Sequence, residues 1–192
     1  MNATHSNSKN AKGFTLIELL VVIGIVVVLS VVVLLTLNPA QLLRQARDST
    51  RISDLGTLKS ALALYLADVT TLALGNTGLC YVSTSTSPGV NCLVFAAGTT
   101  TVTNAASSSL VNGQGWIPVN FNDISSGAPL SVLPLDPANT AALFYAYRAN
   151  TSTLVYELDA ILESNKYIPL MSTDGGNIST AYEVGTDPGL DL

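Results

Sequence analysis

The sequence predicts an α+β fold in which a long N-terminal helix, membrane-spanning and then amphipathic, packs on a C-terminal antiparallel β-sheet domain. Three observations carry this expectation. Residues 14–37 form an apolar run holding a single charge, apolar side chains then recur at helical spacing to about residue 68, and beyond it short runs of β-formers alternate with Gly, Pro, Asn and Ser. The expected divisions are a short polar leader at 1–13, an apolar helix at 14–37, its amphipathic continuation at 38–68 and an exposed β-rich domain at 69–192.

The apolar run, FTLIELLVVIGIVVVLSVVVLLTL, is 24 residues long. A helix of that length spans about 36 Å, enough for a hydrocarbon core of about 30 Å. A cleaved secretory signal would be shorter, about 7–15 apolar residues, and would end at a small-residue site that is missing from this sequence. Glu18 is the one acid in the run. An acid at a helix centre costs about 2.5–3.5 kcal/mol on insertion, and less near an end. Its position suits either a carboxylate reaching headgroup water from the first turn or one that meets a positive partner when helices pack. Lys9 and Lys12 on one flank against Arg44, Arg47 and Arg51 on the other would place the C-terminal part in the cytoplasm. The initiating amine on the leader side and the two cysteines argue for the exterior, and we take that orientation. Gly24 and Ser30 do not make a G-x-x-x-G pattern and are treated as ordinary small residues.

Lys12-Gly13-Phe14-Thr15-Leu16-Ile17-Glu18-Leu19-Leu20 resembles the processing signal of type IV prepilins and of their relatives in type II secretion and DNA-uptake systems. The resemblance implies that prepilin peptidase cuts after Gly13, that Phe14 becomes an N-methylated mature terminus, and that Glu18 attracts the Phe14 amine of a neighbouring copy during filament assembly. It further implies a homo-oligomer in a helical filament, an inner-membrane assembly platform as partner and a lipid bilayer around the helix before assembly. The precursor would lie in the inner or cytoplasmic membrane and the product in an extracellular, pilus-like filament. Physical chemistry is consistent with this spacing: a carboxylate about one turn from an α-amine puts both charges at one end of a helix, where axial stagger can pair them in a water-poor core. A major pseudopilin of a secretion machine and a single-pass membrane-anchored adhesin are the alternatives.

From 38 to 68, Leu55, Leu58, Leu62 and Tyr65 define an apolar stripe, with Arg44, Arg47, Arg51, Asp54 and Lys59 on more polar faces. Arg44 with Asp48 and Arg51 with Asp54 have the spacing of helix ion pairs, each worth a few tenths of a kcal/mol. Residues 14–68 therefore read as one helix, interrupted by a kink or loosened turn at Asn38-Pro39. Many type IV pilins carry a helix-breaking proline earlier, where this sequence has Leu35.

Leu79–Ser83, Asn91–Ala96 and Trp116–Phe121 are expected strands, and Leu143–Arg148 with Thr153–Leu162 an expected hairpin joined through Ala149–Ser152. In the second hairpin strand Tyr156, Leu158, Ala160 and Leu162 alternate with Glu157 and Asp159, so the two acids are assigned to a solvated face. Cys80 and Cys92 are the only cysteines; outside the cytoplasm a disulfide is the default, worth about 3 kcal/mol for a loop of this length in the chain-entropy view. Residues 99–109, TTTVTNAASSS, read as an exposed loop. Leu133-Pro134-Leu135-Asp136-Pro137 resembles the L-P-x-D-P element of many pilins and pseudopilins, with Ala138-Asn139 where Trp-Gly often follows.

No cofactor is expected. The tail acids Asp174, Asp187 and Asp191 are calcium candidates by resemblance to loops of some major pseudopilins, but their spacing fits no defined calcium motif, and turn chemistry is the preferred reading. An enzyme is not expected either: the only histidine, His5, lies in the leader, and no phosphate-binding loop is present. Glu157, Asp159 and Glu163 would be the sole basis for a carboxylate hydrolase. From residue 60 onward two basic residues face ten acids, a net charge of −8, so direct nucleic-acid binding is not expected.

Overall fold

The computed structural model describes residues 13–84, 100–103 and 108–192. It divides into two compact units, Met1–Leu42 and Leu43–Leu192. The expected strand at 91–96, and residues 99 and 104–107 of the expected loop at 99–109, lie outside the described residues.

In the first unit α1 spans Leu16–Leu37. Thr15 starts it with a capping box: the Thr15 hydroxyl accepts from the Glu18 backbone N–H, while the Glu18 carboxylate accepts from the Thr15 N–H. Two donors that no helical carbonyl can reach are thereby satisfied. The helix ends at Asn38, whose φ of 38° lies in the left-handed region that Asn tolerates better than most residues. Pro39 then opens α2, Pro39–Asp68, at the first helical position, where its missing N–H costs nothing. The Asn38 carbonyl accepts from Gln41 N at 2.9 Å. The single helix expected over 14–68 is thus two helices divided at one residue, at the interruption that Asn38-Pro39 signalled.

In the second unit a five-stranded sheet runs in the order β2-β1-β3-β4-β5, with β1 Leu79–Val82, β2 Thr100–Thr103, β3 Tyr145–Asn150, β4 Val155–Ala160 and β5 Tyr182–Gly185. Four strands are antiparallel; β2 joins β1 in parallel at the edge. The antiparallel sheet is as expected, and the parallel edge strand adds to it while correcting the reading of Thr100–Thr103 as loop: a run of Thr and Val has strand propensity that low complexity obscures. The hairpin forms two residues later than expected, with its turn at 151–154. The Asn150 side chain accepts from Ser152 N at 3.0 Å, and Leu154 takes a φ of 58° to close the turn.

One sheet face packs on α2. Leu55, Leu58, Leu62 and Tyr65 join Tyr145, Tyr147, Tyr156, Leu158 and Ala160 in the main core, as the helical stripe and the strand alternation require. Each of the buried Leu side chains contributes about 1.5–3 kcal/mol. Trp116–Phe121 fills the same core without forming the strand expected there: only Asn120 makes a bridge, to Asn112. Trp116, Ile117, Val119 and Phe121 are fully buried on a loop, with the Trp116 indole donating to the Pro134 carbonyl at 2.9 Å. Their backbone bonds go to neighbouring loop residues, Trp116 N to Ser108 O and Phe121 N to Val111 O, both at 2.8 Å.

The other sheet face is also covered. Cys80, Val82, Phe144 and Ala146 form a small second cluster, and Glu157 and Asp159 are buried, which overturns their assignment to a solvated face. The cause is the chain after β4: Ile178 N donates to the Glu183 carboxylate at 2.9 Å and Leu192 N to that of Glu157 at 3.2 Å, so the C-terminal segments lie across the acids.

Candidate functional site

The residues at the expected processing point stand at the start of α1. Gly13, Phe14, Thr15 and every described residue onward to Val33 are exposed, Phe14 at 88%. Leu16–Val33 is long and apolar enough to cross a membrane by length and composition. Glu18 lies in the first turn of this helix, and both of its bonds to Thr15, from the backbone N–H at 2.8 Å and the hydroxyl at 2.7 Å, fall on Oε2. Oε1 is left for a donor from outside the helix. The sequence marked Glu18 as the singular charge; the capping role of Thr15 is the additional feature, legible in the T-x-x-E spacing of Thr15 and Glu18.

A second constellation lies in the domain, where α2 meets the loops. Arg51 is fully buried and binds three carboxylates: Asp136 through Nε at 2.6 Å and Nη2 at 3.0 Å, Asp48 through Nη1 at 2.8 Å, and Glu163 through Nη1 at 2.8 Å. Arg47 adds bonds to Glu163 at 2.7 and 3.0 Å. Asp48 also accepts from Glu163 N, Ser164 N and the Ser164 hydroxyl, and Asp136 from Ala138 N and Asn139 N. The expected pairing is corrected here: Arg51 and Asp48 are core residues, Arg51 pairs backward with Asp48 rather than forward with Asp54, and Asp54 accepts from the Tyr145 hydroxyl at 2.8 Å. Planar guanidinium geometry allows one Arg to serve three acids, a set whose mutual satisfaction is what makes burial tolerable. The hydrogen bonds from Arg47 and then Arg51 hold the Glu163 carboxyl down at about 2, against the opposing effect of burial. With every oxygen engaged in pairing, Glu163 is poorly placed for the hydrolytic role that its position near Glu157 and Asp159 could suggest.

The remaining strand acids form a third constellation. Glu157 and Asp159 on β4 and Glu183 on β5 each present a carboxylate oxygen, and these oxygens lie within 4.8 Å of one another. Each of the three residues is 1% exposed. Asp159 stands directly opposite Glu183 in the ladder. Both oxygens of Asp159 and Oε1 of Glu183 receive no hydrogen bond among the described residues. Burial, then the adjacent acids, pushes the Glu157 carboxyl up to about 8 and that of Asp159 well above its ordinary value. Glu183 was not singled out by the sequence; Tyr182-Glu183-Val184, with its apolar–acid–apolar alternation matching β4, is the signal that could have found it. The tail candidates are arranged otherwise: Asp174 accepts from Gly176 N in a local turn and from Glu183 N at the start of β5, and Asp187 accepts from Asp191 N.

Cys80 is buried and disulfide-bonded. Cys92, its expected partner, lies outside the described residues. No curated protein and no solved structure matches the chain. Residues 8–34 do match a family described as "Prokaryotic N-terminal methylation motif". With an exposed apolar helix behind its Gly-Phe-Thr-Leu-Ile-Glu start, the chain carries the prepilin-type signature of type IV pilins and pseudopilins, substrates of prepilin peptidase.

Proposed function

We propose that the chain is the structural subunit of a type IV pilus-like filament, released by cleavage between Gly13 and Phe14, N-methylated on Phe14 and polymerised through α1. The observation that carries this reading is the methylation motif at 8–34 placed on a helix that is apolar on every side and exposed throughout its described length. A helix apolar all round needs lipid or other helices around it. The membrane serves before assembly and the helices of other copies afterwards, each well-buried Leu or Val contributing about 1.5–3 kcal/mol when it leaves water. Van der Waals packing is not directional, so charge supplies the register: the Phe14 amine of one copy docks on Glu18 of its neighbour, whose Oε1 the Thr15 cap leaves for that contact. The acidic domain then faces the exterior, and its chemistry gives the filament no enzymatic task.

Mass spectrometry of sheared extracellular material tests this proposal. The expected species begins at a methylated Phe14 in filaments. An intact Met1 chain confined to membranes, as for a single-pass adhesin, overturns the reading, and a processed chain retained in short envelope-bound polymers assigns it to a secretion pseudopilus. Glu18→Ala should leave cleavage largely intact and strongly reduce filament yield; normal filaments from that variant would show that the carboxylate only reaches water.

A further inference from the structure

We propose that Glu157, Asp159 and Glu183 bind one divalent cation of the calcium class between β4 and β5. Three carboxylates share a space no wider than 4.8 Å between their nearest ligand oxygens, and all are removed from water. A carboxylate in such a place takes up a proton unless it is paired, hydrogen-bonded or bound to a metal, so a cation here would hold as charged ligands the acids that burial otherwise keeps neutral. The backbone donors available here, Leu192 N to Glu157 and Ile178 N to Glu183, engage one oxygen of each. Among the described residues Asp159 receives none on either oxygen, and Oε1 of Glu183 is equally without a donor. Arg148 stands opposite Glu157 in the ladder, but one positive charge against three carboxylates leaves the group negative. The contrast with the other buried acids of the domain is direct: Asp48 and Asp136 meet Arg51 and several N–H donors, so the fold satisfies acids fully where it has no other use for them.

A cation engages all these oxygens at once. Calcium takes six to eight oxygens at about 2.3–2.6 Å, so oxygens on opposite sides of the ion stand roughly 4.6–5.2 Å apart, a scale that the cluster's spread suits. Three carboxylates, with both Asp159 oxygens available, give a charge-rich, all-protein ligand set, whereas magnesium is held by one or two carboxylates and keeps most of its water. Glu183 also lines a surface cleft with Asp174, Asp187 and Lys59, two acids against one base, which gives the ion a polar path from solvent. The Gly176 backbone presses against the Glu183 carboxylate so closely that a Cβ there would collide with it. The loop after Asp174 thus closes the site, and the bound ion would tie that loop and the C-terminal segment to the sheet. The tail acids earlier considered for calcium shape the turns around this site rather than supply its ligands. The proposal is independent of the filament reading.

The test uses the full chain in detergent, stripped with chelator and titrated with calcium chloride alone, by calorimetry and by thermal unfolding. The expected result is one calcium per chain and a melting temperature that rises with calcium concentration. Asp159→Asn and Glu183→Gln should each weaken binding roughly tenfold or more, since even outer-shell changes at metal sites cost about 10–100-fold. Asp191→Asn should leave the titration unchanged. Calcium-free Asp159→Asn should melt no lower than the calcium-free parent, because it removes a buried acid without a partner. A flat wild-type isotherm overturns the proposal, and so does a calcium response retained by both ligand variants. If one variant fails to accumulate, the wild-type isotherm and the other variant still decide.

Discussion

Arg51 sits at the centre of the domain's charge arithmetic. It binds Asp48, Asp136 and Glu163 from full burial, and Asp48 in turn holds the backbone of Glu163 and Ser164. Removing one member of a buried set strands the others, at about 3–5 kcal/mol. Arg51→Ala should therefore lower the unfolding free energy by roughly that amount, read from urea denaturation at neutral pH. Asp54→Ala should cost much less, since only the Tyr145 hydroxyl bond is lost, about 1 kcal/mol. Glu163 adds a pH signature. Its carboxyl sits at about 2 in the folded chain against an ordinary 4.5, so its contribution is complete above pH 4.5 and disappears as the pH falls through about 2. Denaturation midpoints measured between pH 5 and 2 should fall less steeply in Glu163→Gln than in the parent. Apart from Asp48 and Arg51, which stand three apart on α2, none of this was legible from helix spacing. An i,i+3 or i,i+4 rule sees partners on one helix, whereas the partners of Arg51 and Asp48 on the loops lie 85 to 116 residues away.

At the level of elements, hydrophobic periodicity assigned faces reliably and environments unreliably. The stripe Leu55, Leu58, Leu62 and Tyr65 is the buried face of α2, and the alternation in β4 separates Tyr156 and Leu158 from Glu157 and Asp159 as expected. What alternation could not reveal is that the chain after Ala160 returns to cover the acidic face; that depends on loops with no periodicity of their own. Trp116–Phe121 failed for a related reason: its composition suits a strand, but its backbone finds partners in an adjacent loop and its side chains find the core without one. The β4–β5 pairing also depends on close approach. Gly185 faces Glu157, and a Cβ there would fall on the Tyr156 carbonyl oxygen and meet Leu190 at 3.0 Å. Gly185→Ala should consequently loosen β5 at a cost of about 1–3 kcal/mol, seen as faster amide exchange at 182–185 while β3 remains protected.

For the molecule as a whole, the two units divide the work by solvent. The first exposes nearly everything apolar it has, and the second buries a core of its own with one Trp and several Tyr at its centre. A fragment of residues 43–192 should remain folded and melt in one cooperative transition followed by near-UV dichroism; a broad, non-cooperative melt would show that the first unit is needed. The apolar run made α1 legible from the sequence, because the length and composition of a helix able to cross a membrane are local properties. The second unit was legible as α+β but not in its closure. That closure has a consequence in time. Ser164 and Glu163 reach Asp48 across a separation of 116 and 115 residues, and Arg51 has no complete set of partners until they arrive. The helix can form as soon as it is made, but it cannot settle on a sheet whose β3 and β4 do not yet exist and cannot bury its charges before residue 164 is present. Contacts this distant along the chain make folding slow and late. During synthesis the amino-terminal helix is therefore complete while the domain behind it is still an open chain, and the last third of the sequence acts as the latch that ends that interval.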